Sequence, residues 1–136
     1  MVVTPDSPNS APSRNWIKPH TIRIGIRSAA WIVGTALVLL TIVPSSMRPE
    51  SGVSHHLEHF ASFLLAGILY YLGYAGRVLP WLMVAVLFAG GLELLQILVP
   101  GRHARLVDFV VDALGASTGV VIGFLIVRTC IGRDRV

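Results

Sequence analysis

The chain has 136 residues, 54% of them hydrophobic and only 13% charged, with a mean hydropathy of +0.71. A soluble domain carries about 25% charged residues, so composition excludes an ordinary water-soluble fold, and the length leaves no room for a separate soluble catalytic unit. The formal net charge of +4 does not point to nucleic acid, because the basic residues stand at the edges of apolar runs rather than in a stripe with aromatics.

Residues 1–15 are rich in Pro, Ser and Asn, lack apolar periodicity, and read as a disordered tail. Arg14, Lys18, Arg23 and Arg27 make the approach to the first apolar run basic. That run is long for a signal peptide, and TIVPSSM is a poor small-x-small cleavage site, so an uncleaved first span is expected. Four apolar runs follow, near residues 29–43, 59–75, 79–99 and 109–127, punctuated by Pro44, by Gly76-Arg77, by Pro100-Gly101 and by Arg128. Each is near the roughly 20 residues that cross a bilayer core, the first falling short unless it starts before Ala29. Backbone groups in lipid must bond internally, which makes these spans helices. Ser54 is placed to cap the second of them. Trp31, Tyr70, Tyr71, Tyr74 and Trp81 lie near span ends, as interfacial aromatics do.

With four spans, Arg14, Lys18, Arg23, Arg27, Arg77, Arg128, Arg133 and Arg135 share one side of the membrane. The other side holds Arg48, Arg102 and Arg105. The positive-inside rule then puts both termini in the cytoplasm and turns the loops 44–58 and 100–108 outward.

The chemistry-bearing residues gather beside those outward loops. An ionisable side chain in a membrane segment is costly unless paired or wetted, which makes each a site candidate. Glu93 and Gln96, three apart, share a face of the third helix; at about 1.5 Å per residue Glu93 lies roughly 10 Å before Pro100. Asp108 and Asp112 share a face of the fourth helix, and Gly115, Gly119 and Gly123 continue it. Small residues at four-residue spacing permit close helix approach, so the carboxylate face is expected to be the packed face. His55 and His59 stand one turn apart at the start of the second span, His59 being nearer the apolar segment. Arg102, in the turn, suits either a carboxylate or an anionic ligand. For each residue a bland role competes with a site role: interhelical hydrogen bonding for Glu93, helix-dipole complementarity for Asp108, a structural counter-ion for Arg102. The spacing reproduces no tight metal-ligand motif, no Gly-rich phosphate loop is present, and the lone Cys130 can form no internal disulfide. Neither a metal nor a cofactor is expected.

HFASFLLAGILYYLG followed by GLELLQILVPGRHARLVDFVVDALGASTGVVIG resembles the VanZ-like family of small bacterial membrane proteins. His59-Phe60, Glu93, Gln96, Pro100-Gly101-Arg102, Asp108 and Gly115 stand where that family has His-Phe, an acidic-Leu-x-Gln element, a Pro-Gly-Arg turn and an Asp-x-x-x-Asn-x-x-Gly helix. The match covers about residues 29–127. Two departures stand out: His55-His56 replaces Asp-Lys, and Asp112 replaces Asn. The resemblance implies an envelope role in the cytoplasmic membrane; the family's founder is associated with low-level teicoplanin resistance.

The expected architecture is therefore an all-α membrane protein of four transmembrane helices in a compact bundle. Residues 1–27 form a basic cytoplasmic tail, 28–128 the membrane domain, and 129–136 a short basic tail. An outward polar pocket of His59, Glu93, Gln96, Arg102, Asp108 and Asp112 is expected to bind a membrane lipid or amphiphile, and no nucleic acid. Such binding would modulate glycopeptide susceptibility or the handling of wall precursors. Two alternatives remain open: a membrane-embedded lipid-phosphate hydrolase or transferase using His59, Glu93 and Asp108, and a structural subunit of a membrane complex.

Overall fold

A computed structural model describes residues 19–43, 54–98 and 105–131. The tail expected to be disordered, most of the two loops expected to face outward, and residues 132–136 lie outside the described residues. Four helices follow one another: α1 (Pro19–Ile42), α2 (His55–Tyr74), α3 (Val78–Ile97) and α4 (Leu106–Ile131). The all-helical expectation holds. α1, α3 and α4 contain the segments His20–Ile42, Val78–Ile97 and Leu106–Cys130, each long and apolar enough to cross a membrane. α2 equals α3 in length, 20 residues, but opens on His55, His56, Glu58 and His59, so its span rests on length and packing rather than on composition.

α1 starts ten residues ahead of the apolar run read at Ala29, placing Arg23 and Arg27 on a helix instead of in a tail. Helix continues there because 20–28 contains no Pro and its lone glycine, Gly25, is exposed with open space around it. At α2, Ser54 is the N-cap: its hydroxyl accepts from the Leu57 N–H at 3.3 Å, satisfying one of the donors a helix start leaves open.

The distribution of side-chain size inverts that of a soluble protein. Large aliphatics point outward, Leu87 at 71% and Leu98 at 79% exposure among them, whereas the buried set is dominated by alanines, Ala30, Ala66, Ala85, Ala89 and Ala116. In lipid no hydrophobic force drives helices together, so association relies on close approach at small residues. A continuous outward surface of Leu, Ile and Val is untenable in water and suits a hydrocarbon solvent.

Although α2 and α3 are consecutive, each packs chiefly on α4; α1 flanks α2 and touches α3 more sparingly. The three-residue link 75–77 reverses the chain, so α2 and α4 run parallel. Their register is visible in the glycines, since Gly115 faces Phe60, Gly119 faces Leu64 and Ile68, and Gly123 faces Tyr71, while Gly67 faces Ala116 from the other side. A methyl group at Gly67, Gly115 or Gly119 would lie closer than 3.0 Å to partner-helix backbone. The carboxylate face of α4 is thus the packed face, as its spacing predicts.

At the end holding the α2–α3 link, Trp31, Tyr70, Tyr74 and Trp81 cluster, with Trp31 Nε1 donating to Tyr74 Oη at 2.8 Å. Arg27 sits over the Tyr74 ring, 4.7 Å from its centre, and donates through Nε to the Gly73 carbonyl. Tyr71 departs from the expected aromatic belt: it is 1% exposed and packs edge-on against Phe124. One residue of helical phase separates it from Tyr70 and turns it to α4. Its hydroxyl donates to the Gly76 carbonyl at 2.7 Å and pins the α2–α3 link. Tyr71→Phe should lower unfolding free energy by about 1 kcal/mol in detergent titrations, the cost of an orphaned acceptor; unchanged stability would show that the carbonyl finds water.

Candidate functional site at one end of the bundle

At the opposite end lie the start of α2, the end of α3 and the start of α4. Short links and alternating direction bring these three termini together, and with them most of the polar residues singled out above. Glu93, Gln96, Asp108 and Asp112 are all buried, at 8%, 6%, 6% and 2% exposure.

Two histidine–aspartate pairs join α2 to α4. His59 Nδ1 donates to Asp112 Oδ1 at 3.0 Å, and His56 Nδ1 lies 3.3 Å from Asp108 Oδ1. Residues 56 and 59 are three apart on α2; 108 and 112 are four apart on α4. Parallel helices at this register therefore present two pairs one turn apart. Asp112, deeper by a turn, has its partner largely covered; the His56 side chain is about half exposed. Asp108 also lies in the first turn of α4, where a negative charge complements the helix dipole.

Glu93 is held differently. Its Oε1 accepts the backbone N–H of Arg105, so the third helix is tied to the residue that precedes α4. Its Oε2 is buried and has no hydrogen-bond partner among the described residues. Asp108, Asp112 and His59 are close enough to act on it electrostatically. Glu93 also lines an open apolar groove of about 560 Å³ between α3 and α4, together with Leu87, Leu94 and Phe109, with Gly90 and Gly91 leaving the room.

The structure thus brings His59, Glu93, Asp108 and Asp112 together and buries Gln96 one turn from Glu93. Arg102 lies outside the described residues. Sequence reasoning did not single out His56 as the partner of Asp108, although its three-residue offset from His59 carried that signal. It also missed the main-chain N–H of Arg105, which no side-chain pattern could reveal. No group of three or more His, Cys, Asp or Glu side chains among the described residues is arranged to hold a metal ion.

A family profile described as VanZ/LLP1 matches residues 15–128. The chain belongs to the VanZ/LLP1 family. The matched region contains all four helices up to Arg128, so it includes both histidine–aspartate pairs, Glu93 and the groove. No curated protein and no solved structure matches the chain. Membership in the VanZ/LLP1 family, together with the three apolar helices and the aliphatic outer surface, makes this a membrane protein.

Proposed function

We infer that this VanZ/LLP1 protein binds a lipid or other amphiphile at the polar end of its bundle, and thereby tunes access of lipoglycopeptide-type molecules to the membrane surface or the handling of lipid-linked wall precursors. The observation that carries the reading is Glu93, which lines an apolar groove and has one carboxyl oxygen buried without a partner among the described residues. Burying a polar atom without a hydrogen bond costs about 1–3 kcal/mol in proteins, a cost that an amphiphile with a donor headgroup and an apolar tail offsets. The protein would reside in the bacterial cytoplasmic membrane with both termini inside and this end outward. The excess of Lys and Arg on the terminal side supports that orientation. Arg102, three residues before Arg105 in the sequence, would hold an anionic part of the same headgroup, and His59 with the carboxylates would position it.

Native mass spectrometry of the full chain, extracted from its own membranes into a neutral detergent, tests this. One retained lipid per chain is expected, lost in Gly91→Leu, whose side chain enters the groove. A wild-type chain that emerges bare, or a lipid retained equally by that variant, refutes the reading.

One geometry favours a second reading. His59, its ring oriented by Asp112, has the arrangement of a general base held by a carboxylate. A lipid-phosphate hydrolase or transferase would use it, and phosphate release from lipid substrates lost in His59→Ala would establish that activity.

A further inference from the structure

The groove between α3 and α4 opens between helices whose outward residues are large aliphatics, the side on which acyl chains lie. Among the described residues, the charged groups beside it are mostly acidic. Glu93 has Asp108 and Asp112 as electrostatic neighbours, and Glu58 lies on α2 at the same end. Against these, Arg105 is the sole Lys or Arg among the described residues at this end; its backbone N–H, not its exposed guanidinium, bonds Glu93. His59 and His56 are already engaged with Asp112 and Asp108. A headgroup that brings negative charge to Glu93 meets carboxyls. One that brings an N–H donor and positive charge answers both the orphaned Oε2 and the local imbalance.

We propose that the groove takes an apolar chain whose headgroup presents an ammonium to Glu93. This rests on the amphiphile-binding reading and names the chemistry of its ligand. The Gly90–Gly91 pair leaves room for the chain, since a Cβ at Gly91 meets nothing within 4 Å. Glu93 lies one turn before the end of α3, about 6 Å deep, so an amine a few bonds beyond the chain reaches it.

Three probes of equal chain length and different charge isolate the contact: hexadecylammonium, hexadecanol and hexadecyl phosphate, each added to the full chain in neutral detergent and read by native mass spectrometry. Hexadecylammonium should be retained about tenfold over the other two, a ratio expected of one charge-assisted hydrogen bond. Glu93→Gln, which keeps the side-chain shape and removes the charge, should level the three. Gly91→Leu should reduce all three. If Glu93→Gln does not fold, the order of retention on the wild type decides alone. Equal retention of the three on the wild type, or preference for hexadecanol or hexadecyl phosphate, with loss in Gly91→Leu, overturns the ammonium assignment and leaves amphiphile binding standing. If none of the three is retained, both fall.

Discussion

Gly119→Leu should yield no folded protein, and Gly119→Ala a folded but weakened one. The methyl group of an alanine here would come closer than 3.0 Å to the Leu64 carbonyl and the Ile68 N–H, both backbone atoms of α2. A side chain can rotate away from an intruder; a helix backbone cannot, so α2 and α4 must separate. Overpacking of this kind costs about 1–3 kcal/mol for small additions and more for large ones. Separation would also lengthen both histidine–aspartate bonds, which depend on the same seam. Circular dichroism during titration with a denaturing detergent reads the effect. Gly25→Ala, with nothing within 4 Å of its Cβ, serves as the control and should match or slightly exceed the wild type. If Gly119→Leu unfolds at the wild-type midpoint, the α2–α4 packing is wrong.

The second large effect is expected at Asp112. His59→Ala leaves a carboxyl that is 2% exposed without its hydrogen-bonding partner, and removing one member of a buried pair costs about 3–5 kcal/mol. Asp112→Asn keeps an acceptor for His59 Nδ1 and should cost about 1 kcal/mol or less. Replacing both residues with leucine should recover much of the His59→Ala loss. The His56–Asp108 pair, with its histidine about half exposed, should show a smaller effect, because water can replace the missing partner. A His59→Ala protein as stable as the wild type would mean that Asp112 is hydrated, and that this end of the bundle is an aqueous cleft.

The amount of this arrangement legible in the sequence differs from residue to residue. Gly115, Gly119 and Gly123 at four-residue spacing marked the packed face of α4, and Asp108 and Asp112 on that face were correctly read as turned inward. Helical periodicity is a local property, so one chain suffices to read it. Tyr71 was misplaced at the interface because three tyrosines within five residues look alike by composition, and only the direction of α4 distinguishes the one facing it. The start of α1 was read at Ala29 because Arg23 and Arg27 look like a boundary; in the fold, Arg27 is held by the Gly73 carbonyl and the Tyr74 ring, contacts 46 and 47 positions away.

What the sequence determined by itself is whatever follows from solvent and period: a membrane protein, all helical, with four helices near their observed places and polar residues concentrated at the start of the second, the end of the third and the start of the fourth. Tertiary structure alone decided which of those residues meet. The pairing of α2 with α4 in parallel, across an intervening helix, set His59 against Asp112 and His56 against Asp108, and left Glu93, a lining residue of the groove, with one oxygen bonded to a backbone N–H and the other buried without a partner among the described residues. The physical reason is that lipid satisfies every apolar face equally, so hydropathy says that helices insert but not which neighbours they choose. That choice falls to close fits such as Gly119 on Leu64, whose partner lies 55 residues away in the chain.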